Sequence, residues 1–425
     1  MTSNLWNRKR FAVLGLARSG AATVHALLAS GAQVVAWDSD RARREEHERQ
    51  GLSLTDPLTL DLTGFTAVVV SPGVPLNRHP ITAHAAHYGV PVIGDIELFA
   101  EARGELPPHQ VVGITGTNGK STTTALVHHV LQAAGVPTTM GGNIGLPILA
   151  QDSLPVGGVY VLELSSYQID LTLTLDCDVA VLLNITPDHL DRYDGFEGYA
   201  ASKLRLFKMQ SPGRLAILGS LSETDNVVLK DARAPRVELI DDIDVASQQD
   251  WPALQGPHNA QNAAAAIAVC RTLGLSGDQI ENGLRTYRGL PHRTENIRNL
   301  NGVLFVNDSK ATNPTSTAAA LAAYPAVRWI LGGQAKTPDL DACAPHFAHV
   351  RSAYTIGDSA KMFADLLQPH MQVEVSGTLA VAVQHAARDA VAGEAVLLSP
   401  ACASFDQFRD YEDRGDQFRR LVEVL

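Results

Sequence analysis

The chain has 425 residues, of which 45% are hydrophobic, 19% charged and 6% aromatic; this is the profile of a folded globular protein too long for one core, and three domains are the natural expectation. A formal net charge of −11 argues against a nucleic-acid partner, so any anionic ligand must be held by local cations, backbone N–H groups and metal. Cys177, Cys270, Cys343 and Cys402 are scattered without Cys-x-x-Cys spacing, which suggests neither a zinc site nor a disulfide framework and favours buried free thiols.

Arg8-Lys9-Arg10 precedes a short apolar run that Arg18 cuts off, too brief and badly flanked for an export signal. Nowhere do apolar residues run long enough to cross a bilayer, so the cytoplasm is the expected compartment. From Phe11 to Asp38 the order is apolar strand, turn, Ala-rich helix and strand, a βαβ opening. Its turn, Gly15-Leu16-Ala17-Arg18-Ser19-Gly20, is a dinucleotide fingerprint with alanine in the middle glycine's place, and Asp38 stands where a ribose-binding acid would sit. A tight strand-to-helix turn without a ligand accounts for these residues equally well. The strand Ala67-Val68-Val69-Val70 runs into Ser71-Pro72-Gly73, a loop able to cradle phosphate or simply to turn. The charged run from Arg41 to Arg49 reads as a solvated face.

A polar, proline-containing stretch from Glu101 to Pro108 marks a first boundary. Directly after it, Val111-Val112-Gly113-Ile114-Thr115-Gly116-Thr117-Asn118-Gly119-Lys120-Ser121-Thr122 joins an apolar strand to a Gly-rich turn ending in Gly-Lys-Ser. Such a turn closes backbone N–H groups around phosphate at the positive end of a helix; Lys120 can reach the outer phosphates and Ser121 can ligate magnesium. Ile114 occupies the place where the strict P-loop pattern has its first glycine, so the motif is a variant. Glu163 ends a continuous apolar strand near this loop, as a magnesium ligand would. His189, in Asp188-His189-Leu190-Asp191, is a second metal-ligand candidate, while Lys203 reads from composition as a plain surface lysine. In His258-Asn259-Ala260-Gln261-Asn262 amide side chains either contact a purine or cap the Ala-rich helix that follows.

A second boundary falls near Tyr287-Arg288-Gly289-Leu290-Pro291. Beyond it, Asn307 to Asn313, Gly332 to Lys336 and Ser399 to Asp406 each follow an apolar run, and loops at the carboxyl ends of parallel strands share one ligand face, here suited to a small polar anion.

Together the Gly113 to Ser121 loop, Leu162-Glu163-Leu164-Ser165-Ser166, Asp188-His189-Leu190-Asp191, the His258 to Asn262 segment, Pro291-His292-Arg293 and the Asn307 to Asn313 cluster resemble the Mur ligases. Gly141-Gly142-Asn143-Ile144-Gly145, the loop at 399–404 and Asp406-Gln407-Phe408 are most similar to the branch that adds glutamate. The resemblance implies an α/β fold of three domains: a Rossmann-like domain at 1–100 for a UDP-linked substrate, a central P-loop ATPase domain with a mostly parallel sheet at 101–290, and a Rossmann-like domain at 291–425 for glutamate and the outer side of ATP. It implies ATP-dependent joining of D-glutamate to UDP-N-acetylmuramoyl-L-alanine through an acyl phosphate, by a cytoplasmic monomer of peptidoglycan precursor synthesis that does not enter the membrane.

By the same resemblance Gly116, Thr117, Asn118, Gly119, Lys120, Ser121, Thr122, Asn262, Arg293 and Asp308 contact ATP. Two Mg²⁺ ions fall to Ser121, Glu163, His189 and a carbamylated Lys203, with Lys120, His189 and Lys203 the catalytic residues. Gly15, Leu16, Ala17, Asp38, Ser71 and Gly73 take the UDP end, and Asn143 and His189 face the muramoyl part. Lys310, Thr312, Lys336, Ser404 and Tyr411 grip glutamate, where cations and hydroxyls suit a dianion. A sister ligase adding L-glutamate or another amino acid, or a folylpolyglutamate synthase-like enzyme, shares this chemistry. A P-loop switch shares only the nucleotide loop, and an oxidoreductase only the Gly15 turn.

Overall fold

The computed structural model describes residues 1–49, 51–186, 188, 192–219, 236–240 and 245–425. Strands β1 (Arg10–Leu14), β2 (Gln33–Trp37), β3 (Ala67–Val70) and β4 (Val92–Ile93) form a parallel sheet in the order β2-β1-β3-β4. Strands β5 (His109–Thr115), β6 (Thr138–Gly142), β7 (Gly158–Glu163), β8 (Val179–Leu182), β9 (Leu215–Leu218) and β10 (Arg236–Leu239) form a second, in the order β10-β9-β8-β5-β7-β6, again parallel. Every residue of β3, β7 and β8 is buried, which explains their continuous apolar sequences: both faces of these strands are covered.

The third sheet contains β11 (Glu295–Leu300), β12 (Val303–Asn307), β13 (Val327–Gly332), β14 (Val350–Ile356), β15 (Gln372–Gly377) and β16 (Ala395–Leu398), ordered β11-β12-β16-β13-β14-β15. Only the β11–β12 pairing is antiparallel. Successive residues of β13 point to opposite faces: Trp329 packs with Leu321, Phe363 and Leu367, and Ile330 with Leu379, Val383 and Phe418. This is a doubly wound layer with helices on both sides.

By packing, the described residues of Met1–Asp244 and Pro257–Arg285 form one compact unit, and those of Val245–Gly256 and Thr286–Leu425 a second. Within the first unit the polar stretch after Glu101 interrupts the sequence but not the core. The helix Asp95–Ala102 buries Ile96, Leu98 and Phe99, and Phe99 meets Tyr160 of β7 edge-on at 5.1 Å. Among the described residues no helix is long and apolar enough to cross a membrane. All four cysteines are buried free thiols.

Strand order locates the ligand faces. From β5 the chain crosses through the helix Lys120–Ala133 to β6 on one side, while from β8 it crosses through Gly195–Lys208 to β9 on the other. The crevice between their carboxyl ends is a topological switch point, where open α/β sheets bind ligands. The same reversal occurs in the first sheet between β1 and β3, which places the turn after Gly15 beside Ser71.

Candidate active site

The β5 strand runs through Ile114 and Thr115, both buried, so Ile114 is a core residue and the turn starts later, at Gly116. Gly119, at φ +83°, caps the helix Lys120–Ala133, and a Cβ there would stand 2.3 Å from Asn262 Oδ1. The loop is laced to the segment after β8. Thr117 N–H donates to Asn184 O (2.9 Å), Asn118 N–H to Asn184 Oδ1 (2.9 Å) and Asn184 Nδ2 back to Asn118 O (3.2 Å). Thr117 Oγ1 donates to Thr186 O at 3.1 Å. The helix's first turn, Lys120, Ser121 and Thr122, supplies the N–H groups that lack intrahelical acceptors.

Two lysine Nζ atoms converge on one carbonyl. Lys120 Nζ donates to Gly116 O (2.9 Å) and Thr117 O (2.8 Å), and Lys203 Nζ donates to the same Gly116 O (2.9 Å). Lys203 is only 1% exposed, its Nζ 4.6 Å from the Tyr199 ring centroid, and Tyr199 Oη lies 3.2 Å from Thr117 Oγ1. Burial, aided by the Lys120 charge, lowers the Lys203 pKa to about 7. Lys203 is therefore no plain surface lysine, a burial that composition did not signal.

Glu163, at the end of β7, is buried. Its Oε1 accepts from Asn143 Nδ2 at 2.8 Å, while Oε2 has no hydrogen-bond partner among the described residues. Gly142 permits this approach, since a Cβ there would come within 2.2 Å of Glu163 O. An unpartnered buried carboxylate oxygen suits a cation, and magnesium ordinarily takes one or two carboxylates with waters and phosphates. Among the described residues no three His, Cys, Asp or Glu side chains form a ready cage. Asn262 sits beneath the loop, accepting from Thr123 Oγ1 (3.2 Å) and donating to Asn259 Oδ1 (3.2 Å). His189 lies outside the described residues.

At the first sheet's switch point Gly15, Leu16, Asp38 and Ser71 come together. Gly15 (φ +95°) accepts from Ser71 Oγ at 3.0 Å, and a Cβ on Gly15 would stand 2.7 Å from Ser71 Cβ. Asp38 is buried and accepts from Leu16 N–H (2.6 Å) and Asp40 N–H (2.8 Å). Against the opposing effect of burial, those N–H groups and Arg43 hold its carboxyl below the usual range. Ala17 caps the helix Arg18–Ala29, and Gly73, with open space where a Cβ would be, accepts from Arg192 Nη2 at 3.0 Å.

In the second unit Asp308 is buried at the end of β12, accepting from Ser399 Oγ (2.7 Å) and Thr294 N–H (3.1 Å). Burial raises its carboxyl to about 7, although those bonds and Arg293 pull the other way. Lys310 Nζ donates to Tyr411 Oη at 3.1 Å, and Thr312 N–H bonds Lys310 O at 2.9 Å. The Gln334 and Ala403 backbones exchange bonds of 2.9 and 3.0 Å, which joins the loop carrying exposed Lys336 to the one carrying buried Ser404. Sequence reasoning missed the residue tying these loops together. Arg414, fully buried in the helix Tyr411–Glu423, donates to Ser309 Oγ (2.9 Å), Ser309 O (2.8 Å) and Cys402 O (3.1 Å), and burial lowers its pKa to about 10. His292, Thr294 and Ala401 hold φ values of +63°, +41° and +57°, backbone strain gathered around the same loops.

The chain matches the Mur ligase middle domain over residues 114–253 and the Mur ligase glutamate ligase domain over 292–402. It is 59% identical over 429 aligned residues to UDP-N-acetylmuramoylalanine--D-glutamate ligase of Novosphingobium aromaticivorans, covering 100% of this chain and 97% of that one. It is 55% identical to the enzyme of the same name from Zymomonas mobilis, covering both chains in full. Among solved structures, UDP-N-acetylmuramate-alanine ligase from Thermotoga maritima shares the fold, with a TM-score of 0.58 at 15% identity over 98% of this chain and 99% of that one. Full-length identity at this level, on a chain whose P-loop and Asn307 to Asn313 cluster fall inside the two matched domains, places it: the protein belongs to the Mur ligase family, among the UDP-N-acetylmuramoylalanine--D-glutamate ligases.

Proposed function

We propose that the protein joins the amine of D-glutamate to the terminal carboxyl of UDP-N-acetylmuramoyl-L-alanine with cleavage of ATP, a step of peptidoglycan precursor synthesis. The observation that carries the reading is the pairing of Lys120 with buried Lys203 at Gly116 O, within a chain so similar to ligases of that name. A carboxylate is a poor electrophile. Transfer of the γ-phosphoryl group to its oxygen gives an acyl phosphate, which the amine attacks with phosphate departing. Such transfer asks the protein mainly to position its reactants and neutralise charge.

Lys120 and the first helical turn are suited to hold the phosphates, with Gly116, Thr117, Asn118, Gly119, Ser121 and Thr122 shaping the loop. Ser121, Glu163, His189 and Lys203 are the proposed holders of two Mg²⁺ ions, which when bound would polarise the phosphoryl oxygens. The role of Lys203 requires a carbamate, which turns its cation into an anionic ligand; its sheltered position favours the neutral amine that carbon dioxide needs. Asn262 would act on ATP by supporting the loop, and Arg293 and Asp308 from the third sheet. Lys310, Thr312, Lys336, Ser404 and Tyr411 would grip glutamate. Gly15, Leu16, Ala17, Asp38, Ser71 and Gly73 would take the UDP end, and Asn143 and His189 the muramoyl part. The division at 1–100, 101–290 and 291–425, a monomeric state and a cytoplasmic location belong to the same proposal.

Phosphate release with ATP and UDP-N-acetylmuramoyl-L-alanine, comparing D-glutamate, L-glutamate and other amino acids, tests it. Turnover with D-glutamate is expected. Silence with all amino acids would end the ligase reading, and preference for another would reassign the substrate.

A further inference from the structure

The helix Gly195–Lys208 has two working faces. Tyr199 and Lys203, four residues apart, share the face turned to the nucleotide loop, while Gly198, Ala201, Arg205 and Lys208 repeat at helical spacing on the opposite face. That second face borders a cavity of about 640 Å³, within the range that takes a small organic ligand. Its apolar wall is Pro72, Val74, Leu76, Val92 and Leu171. Tyr167 and Tyr193 form another side, their rings near-parallel at 17° with centroids 6.1 Å apart.

Among the described residues the charges are unbalanced: Arg192, Arg205 and Lys208 line the cavity against one carboxylate, Asp170, whose two oxygens already accept from Tyr193 Oη (2.9 Å) and Ser202 Oγ (2.7 Å). Arg205 donates through Nη2 to Thr172 O at 3.0 Å, yet its Nε is shielded from solvent with no hydrogen-bond partner among the described residues. That N–H is closed to anything filling the cavity, so Arg205 offers an occupant its charge and the remaining guanidinium N–H groups. The Arg192 guanidinium lies 4.7 Å from the Tyr167 ring centroid and bonds Gly73 O, so cation and aromatic surface are held together.

We propose that this cavity is a binding site, separate from the nucleotide loop, for a small amphipathic anion: an aromatic or apolar body bearing one carboxylate, sulfonate or phosphate that accepts from Arg205. The apolar wall and the tyrosine pair take the body, and the three cations select the charge. Such an occupant rests on the helix that presents Lys203 and beside the loop that carries Gly73.

Fluorescence titration of the full chain with 8-anilinonaphthalene-1-sulfonate, an aromatic monoanion, tests the site. One saturable site is expected, at least tenfold weaker in Arg205→Met and abolished in Ala201→Trp, which fills the cavity from an exposed helical position. Uncharged N-phenyl-1-naphthylamine should bind at least tenfold more weakly than the sulfonate. Saturating ATP or UDP-N-acetylmuramoyl-L-alanine should leave binding in place. Unchanged binding in a folded Ala201→Trp protein, or displacement by either substrate, would overturn the proposal.

Discussion

The turns at Gly15 and at Gly116–Gly119 share a plan and differ in charge. Each follows the carboxyl end of a central parallel strand, each lies at its sheet's switch point, and each needs positive-φ glycine where a neighbouring side chain approaches closely. At the first, the Leu16 N–H that would greet an anion is already bonded to the buried Asp38 carboxylate. At the second, the Nζ atoms of Lys120 and Lys203 both donate to the Gly116 carbonyl. A Gly-rich strand-to-helix turn therefore does not by itself announce phosphate; the side chains that brace it decide. The first suits donors such as ribose hydroxyls, the second an anion about to shed charge.

Removing the Lys203 side chain, whose carbamate is the proposed anionic magnesium ligand beside the second turn, should have the largest effect. Lys203→Ala is expected to lower phosphate release by about 10²–10³-fold, the scale of deleting one transition-state stabiliser. Short carboxylic acids added to the assay should restore part of it by replacing the carbamate. A fully active Lys203→Ala enzyme would contradict both the role and the modification.

A paired substitution separates the turns. Gly119→Ala forces a Cβ to 2.3 Å from Asn262 Oδ1 at φ +83°, and Gly15→Ala forces one to 2.7 Å from Ser71 Cβ at φ +95°. Strain of about 1–3 kcal/mol should weaken binding roughly 10–100-fold in each case. By calorimetry the first should lose ATP and keep the UDP substrate, and the second the reverse. Equal loss of both ligands in both variants would show that the turns do not divide the work.

A smaller change is expected from Asp38→Asn. It keeps the shape but replaces the charged acceptor of Leu16 N–H, which should raise KM for the UDP substrate about tenfold with KM for ATP unchanged. A shift in the ATP value instead would move Asp38 out of the first site.

The smallest effect concerns stability. Burial places the folded Asp308 carboxyl at about 7, above the roughly 3.9 of an unfolded chain. Between these values the folded state holds a proton that the unfolded state has released. The contribution of this group is thus complete below about pH 4 and is lost as pH rises through about 7. Asp308→Asn should remove that decline, giving a Tm a few degrees above the parent at pH 8. Parallel Tm profiles from pH 4 to 8 would show that Asp308 does not titrate in this way.

Much of this was legible in the sequence because it is local. Strand-to-helix turns, continuous buried strands and the Asn307 to Asn313 cluster show in consecutive residues. What was not legible depends on partners far along the chain. Arg414 looks like any helical arginine until its bonds to Ser309 and Cys402 are seen, and Asn184 has no motif to mark its hold on the nucleotide loop. Ile114, which stands where the strict P-loop pattern has a glycine, is a core residue, since β5 extends one residue beyond it. Residues 245–256 pack with the second unit, and nothing in their composition indicates that.

The most direct measurement of the central claim follows the oxygen. With UDP-N-acetylmuramoyl-L-alanine labelled with ¹⁸O in its terminal carboxylate, ATP, D-glutamate and the enzyme, transfer of the γ-phosphoryl group to that carboxylate predicts one ¹⁸O atom in each released phosphate. Phosphate free of label would contradict it, because the oxygen would then have come from water.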